Sequence, residues 1–167
     1  MVLSGLIKGS HRQGPFPLRL LRVRVHPDDS PFEIFARAAA ARAVGCLTTV
    51  SIPPNLSGTA ADAVRKLDLL TKPWAGAIEF VEESETQLAK VIGTGQTERL
   101  RYAAPSRVSN TVRRAAAEAL HFVADAPISD HGRIELLWYI REQSISHVYH
   151  RYGNLGPRSS EKRATVS

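Results

Sequence analysis

At 167 residues, with 43% apolar and 23% charged positions, the chain has the length and composition of one soluble globular domain with a real core. The lone cysteine, Cys46, excludes an internal disulfide and fits a reducing compartment, and no apolar run approaches the ~20 residues that a membrane span needs. The formal net charge of +6 would point to nucleic acid, but Lys8, Arg12, Arg19, Arg22 and Arg24 cluster at one end and Arg151, Arg158, Lys162 and Arg163 at the other, leaving a mildly acidic middle with no recognition motif.

Residues 1–17 carry glycines and prolines without periodicity and read as a disordered lead-in. Their apolar stretch is too short, and too little charge precedes it, for a secretion signal, so a cytoplasmic protein is expected. Leu21 to Val25 alternates as a strand with one buried and one wet face does. Ser30-Pro31-Phe32-Glu33 then combines a capping serine, a first-turn proline and a glutamate three residues after the cap. This predicts a helix that buries Phe32, Phe35, Ala39 and Ala43 and stops at Gly45.

The alternation recurs. Leu47–Ile52 reads as an interior strand and Thr59–Leu70 as a helix with Val64 and Leu67 inward. Ala77–Val81 is a third strand, and Ser84 with Gln87 forms a second capping box before Leu88, Val91 and Ile92. Arg99–Ala103 is a fourth strand, Asn110–Leu120 a helix, and Phe122–Ala124 a short fifth strand. Five strands alternating with helices predict an α/β fold over residues 18–130: a Rossmann-like, open, mostly parallel sheet with helices on both faces.

The closing segment, residues 131–156, opens like a helix, but Leu136 to Ile140 are five apolar or aromatic residues in succession. A helix apolar on more than one side packs between two surfaces. From Ser144 the period changes, and Tyr149, His150 and Tyr152 suggest an extended arm that ends at Gly153-Asn154. Residues 157–167 read as a disordered basic tail.

A Rossmann-like sheet invites a search for a phosphate-binding turn, which needs glycines where the backbone approaches the ligand. Here that turn is His26-Pro27-Asp28-Asp29-Ser30-Pro31, with no glycine, two prolines and two carboxylates, so no cofactor is expected. Cys46 has no base nearby and reads as a small buried hydrophobe. Ser144, Ser146, His147 and His150 lack the acid and nucleophile turn of a hydrolase, and His147 with His150 lacks a third metal ligand. Glu82, Glu83 and Glu85 read as acids placed near the start of the next helix. Arg133 with Glu135, and Arg141 with Glu142, form either a solvated face or the polar rim of a docking surface.

The stretches RIELLWYIREQSIS and YHRYGNLG, with RVRVHPDDSPFEIFARAAAARAVGCLTTVSIPP, PWAGAIEFVEES and ERLRYAAPSRV, resemble the far C-terminal region of bifunctional proline utilization A. The resemblance covers about residues 18–156. It implies an accessory Rossmann-like domain downstream of the aldehyde dehydrogenase module, whether separate or a fragment, that assists assembly or covers the channel between the two active sites. The parent enzymes use FAD and NAD, but no catalytic residue of the family has a counterpart here, and Cys46 is not the dehydrogenase nucleophile. The expected partner is the aldehyde dehydrogenase or proline dehydrogenase module, in cis or in trans. Expected contacts are Trp138, Arg141, Tyr149, His150, Arg151, Tyr152 and Asn154. The rival expectation is a small NAD-dependent oxidoreductase or nucleotide-binding protein.

Overall fold

The computed structural model describes residues 12–145. It divides into two compact units, residues 15–141 and a second made of residues 1–14 and 142–167. Of the second unit only residues 12–14 and 142–145 are described, and they belong to two strands, β1 (Arg12–Pro17) and β7 (Ile140–Ile145), which pair in a two-stranded sheet. Residues 12–17, expected as a loose lead-in, are therefore partly ordered by strand pairing.

The larger unit runs β2 (Leu20–Arg24), α1 (Pro31–Val44), β3 (Leu47–Ile52), α2 (Gly58–Thr71), β4 (Ile78–Glu82), α3 (Glu85–Gly93), β5 (Arg99–Arg101), α4 (Asn110–Glu118), β6 (Val123–Ala124) and α5 (Gly132–Leu136). All four strand pairs are parallel, in the order β4-β3-β2-β5-β6. Taken by position in the chain, these five strands lie 3-2-1-4-5, the order of a dinucleotide-binding sheet, and the topological switch lies between β2 and β5. No described helix is long and apolar enough to cross a membrane.

Local chemistry starts the helices where expected. Ser30 accepts from the Glu33 N–H while the Glu33 carboxylate accepts from the Ser30 N–H, and Ser84 with Gln87 repeats the arrangement at α3. Gly45 closes α1 in the left-handed region, at φ +85°. The end of α4 departs from that pattern. Its backbone turns through Leu120 at φ +51°, and the His121 N–H reaches back to the Ala116 carbonyl at 2.8 Å. Glycine is the usual residue in that position, and a leucine there costs about 1 kcal/mol. Leu120 is also 94% exposed, so no packing offsets the strain. Leu120→Gly is therefore expected to raise stability by about 1 kcal/mol, read as a higher urea midpoint.

One face of the sheet packs Val25 and Val50 against Ile34 and Ala38 of α1 and Ala60, Ala63, Val64 and Leu67 of α2. On the same face Leu18, Leu21 and Val23 meet Ala40, Ala41, Cys46 and Tyr139. The opposite face packs Leu100 and Tyr102 against Leu88 and Ile92 of α3 and Val112 of α4. Two sequence expectations fail here. Phe32, Ala39 and Ala43 lie outside, and α1 instead buries Ile34, Arg37, Ala38, Ala40 and Ala41. In an alanine-rich helix the apolar pattern is weak, and the ion pair made by Arg37 sets the buried side. β2 likewise has no wet face, because it lies at the sheet centre beneath helices on both sides; Arg22 and Arg24 are buried with carboxylate partners.

The closing helix is shorter than expected. It ends at Leu136, one 3₁₀ turn covers Leu137–Tyr139, and the strand starts at Ile140 rather than at Ser144. Five successive apolar residues cannot share one helical stripe. Tightening the turn brings Leu136, Trp138 and Tyr139 onto the core and leaves Leu137 outside.

Candidate functional site: the switch point and the closing segment

In an open parallel sheet, ligands sit outside the carboxyl ends of the strands at the switch point. Here that crevice lies beyond Arg24 of β2 and Arg101 of β5, and side chains fill it. Asp29, in the turn after β2, is buried. Its carboxylate pairs with Arg37 and accepts from Arg107 at 2.7 Å and from the His26 N–H at 3.0 Å. Arg37 also donates to the Arg24 carbonyl at 2.7 Å, tying α1 to the central strand. Arg107, after β5, adds a contact to Glu33 at 2.9 Å.

A second cluster lies on the other face. Arg22 meets the buried Glu83 at 2.7 Å. Arg24 donates to Ser51, to the Glu83 carbonyl and to Glu85, each at 2.9 Å. The other carboxylate oxygen of Glu85 takes the Ser109 hydroxyl at 2.5 Å, at the cap of α4. Glu83 is thus a buried ion-pair partner, beyond the helix-start role its position suggested.

These residues do not fit a dinucleotide. A pyrophosphate needs free amides at the start of the first helix, yet Pro31 has none and the Ser30, Glu33 and Ile34 amides are bonded within the cap. Asp29 and Glu33 would repel it, and Arg37 and Arg107 are engaged by those same carboxylates.

The closing segment is held by a third cluster. Glu135, expected on a solvated face or a polar rim, is 4% exposed. It accepts from Arg101 at 2.9 and 3.1 Å, from the Tyr139 hydroxyl at 2.8 Å and from the Ser129 N–H at 3.1 Å. Arg99 donates to the carbonyls of Trp138 at 2.7 Å and Ile140 at 3.1 Å. Trp138 stacks on Phe122 with centroids 6.4 Å apart and lies under the Arg101 guanidinium. Trp138 is therefore half-buried and holds the segment to the sheet, while Arg141 is exposed. Tyr149, His150, Arg151, Tyr152 and Asn154 lie outside the described residues.

Cys46 is buried and its Sγ contacts the Tyr139 carbonyl at 3.3 Å; burial pushes its thiol pKa up, which disfavours a nucleophilic thiolate. Among the described residues no group of three His, Cys, Asp or Glu could hold a metal ion. Sequence reasoning missed Asp29, Arg37, Arg101 and Glu135 as partners. The available signal was arginine at inward positions: Arg37 in the apolar helix and the Arg-Val-Arg and Arg-Leu-Arg strands.

Glu33 gives this site an acid-sensitive element. Burial alone would push its carboxyl up, but the Ser30 N–H, Arg107 and the Ser30 hydroxyl outweigh it and hold the pKa below the ordinary value. A folded pKa below the unfolded one adds stability above the unfolded value and loses it as pH falls through the folded one. The urea midpoint is expected to drop as pH is lowered from about 5 to about 3, with a shallower drop for Glu33→Gln. Equal slopes would remove Glu33 from the acid response.

No protein-family model matches the chain, and no curated protein matches it. A solved structure titled "The Structure of Putative Aldehyde Dehydrogenase PutA from Anabaena variabilis" is similar at TM-score 0.42 and 17% identity over 71% of this chain. The match spans 27% of that protein, and a likeness so distant says nothing of activity.

Proposed function

We propose that the chain is a non-catalytic accessory domain of the proline dehydrogenase/glutamate-semialdehyde dehydrogenase type. In this reading it acts in proline catabolism, in cis or in trans, by assisting assembly or covering the substrate channel. The sequence resemblance over residues 18–156 supports the family. The observation that carries the non-catalytic part is Asp29, buried between Arg37 and Arg107 where a Rossmann sheet would hold its cofactor. A domain whose crevice is closed by its own ion pairs has its surface left to work with.

The test pairs a melting experiment with a capture experiment. A ligand that binds only the folded chain, at about 100 times its Kd, stabilises by about 2.7 kcal/mol. NAD is expected to give no shift, and a clear shift would favour the small-oxidoreductase reading. In capture by purified bifunctional dehydrogenase lacking its own C-terminal region, the chain is expected to be retained. His150→Ala with Tyr152→Ala should weaken retention if the arm makes contact; unchanged retention removes the arm from the interface.

A further inference from the structure

We propose that the hollow between the end of α4 and the edge strand β6 docks an extended segment of a partner protein that carries an apolar side chain beside a carboxylate. The proposal rests on the reading above only in taking that partner to be the dehydrogenase.

The hollow is shallow and open to solvent, with a volume of about 340 Å³, and Ala116, Ala117, Leu120, Phe122 and Val123 give it apolar walls. Its charged lining residue is Arg113, which is half-exposed; it donates to the Pro105 carbonyl at 2.6 Å, and its one carboxylate contact among the described residues, Asp125, lies at 3.4 Å. No acidic side chain among the described residues lines the hollow. Apolar walls beside a guanidinium whose charge is only loosely balanced suit an apolar side chain followed by Asp or Glu.

Two features mark the hollow as prepared for contact. Leu120 is almost fully exposed on a left-handed backbone where glycine would relieve strain, so folding does not account for the leucine. Phe122 is half-exposed yet fixed, with the Arg99 guanidinium 5.0 Å from its ring on one contact and Trp138 stacked on another. An aromatic held in place before binding loses little freedom on docking.

The sheet edge selects protein over lipid. The Phe122 and Ala124 carbonyls accept from the Leu100 and Tyr102 amides, which turns the polar backbone groups of Val123 outward. A peptide strand can satisfy those groups, as in strand addition, whereas hydrocarbon cannot.

The experiment measures the Kd of the full chain for purified bifunctional dehydrogenase lacking its own C-terminal region, alongside urea midpoints. Leu120→Gly is expected to fold at least as stably as the wild type yet bind roughly tenfold more weakly or worse, and Arg113→Gln to bind more weakly too. Loss of binding with gain of stability separates docking from a packing role. If the wild type binds and both variants match it within about twofold, the hollow is not the contact and the functional reading stands. If the wild type does not bind, both fall. Binding to phosphatidylserine vesicles in its place, lost in Leu120→Gly, would make the surface a membrane contact and also overturn the proposal.

Discussion

Glu135→Ala is expected to cost about 3–5 kcal/mol, because it strands a buried arginine. Arg101 is fully buried; besides Glu135 it reaches the carbonyls of Ala126 at 2.6 Å and Ala124 at 3.3 Å, which accept hydrogen bonds but carry no full charge. The substitution also frees the Tyr139 hydroxyl and the Ser129 N–H. Domains of this size are stable by about 5–15 kcal/mol, so the variant would sit close to unfolding at room temperature. Urea titration is the check, since a lower midpoint at unchanged slope reports stability alone. Glu135→Gln, which keeps an acceptor for Tyr139, should lose less. A cost under about 1 kcal/mol for the alanine variant would mean that Arg101 finds water on opening.

Asp29→Ala is expected to cost a comparable amount, about 3–5 kcal/mol. It leaves Arg37 buried without its counter-charge and leaves Arg107 paired with Glu33 alone. A double variant, Asp29→Leu with Arg37→Met, should recover much of that loss, because apolar side chains of similar volume often replace a buried ion pair at no net cost. The coupling between the two positions, read from urea midpoints of both singles and the double, is the measurement. Additive losses would show that Asp29 and Arg37 act independently, against the buried ion pair that joins them.

The two expectations arise from the same feature, and it was the least visible one in the sequence. The β-α alternation was legible because each strand is a compact apolar run and α1 and α3 both open on capping boxes, which are local signals. Strand order depends on long-range pairing and could not be read, so the switch point came only with the fold. Arg22 and Arg24 looked like the wet face of a strand because periodicity assumes that charge faces water. It cannot see a glutamate 61 residues away, the separation between Arg22 and Glu83. The same assumption turned α1 in the wrong direction and put Glu135 on a surface. The absence of glycine from residues 26–31 is a local signal too; in the fold the same stretch forms the cap of α1 and holds the buried Asp29 carboxylate.

The closing segment shows both outcomes. Its density of apolar residues was correctly a sign of burial, and Leu136, Trp138 and Tyr139 pack on the core of their own unit. A helix of that composition need not be sandwiched by a companion, since a tight turn can spread its side chains over a single core. Exposed apolar side chains in the described residues include Leu120 and Phe122, which periodicity had assigned to a helix end and a strand start, alongside Phe32, Leu69, Leu70, Ile134 and Leu137.

A single melting series on the full chain tests the central claim most directly, with NAD in one arm and purified dehydrogenase lacking its own C-terminal region in the other. The dehydrogenase is expected to raise the midpoint and NAD to leave it in place. A rise with NAD and none with the dehydrogenase would contradict that claim.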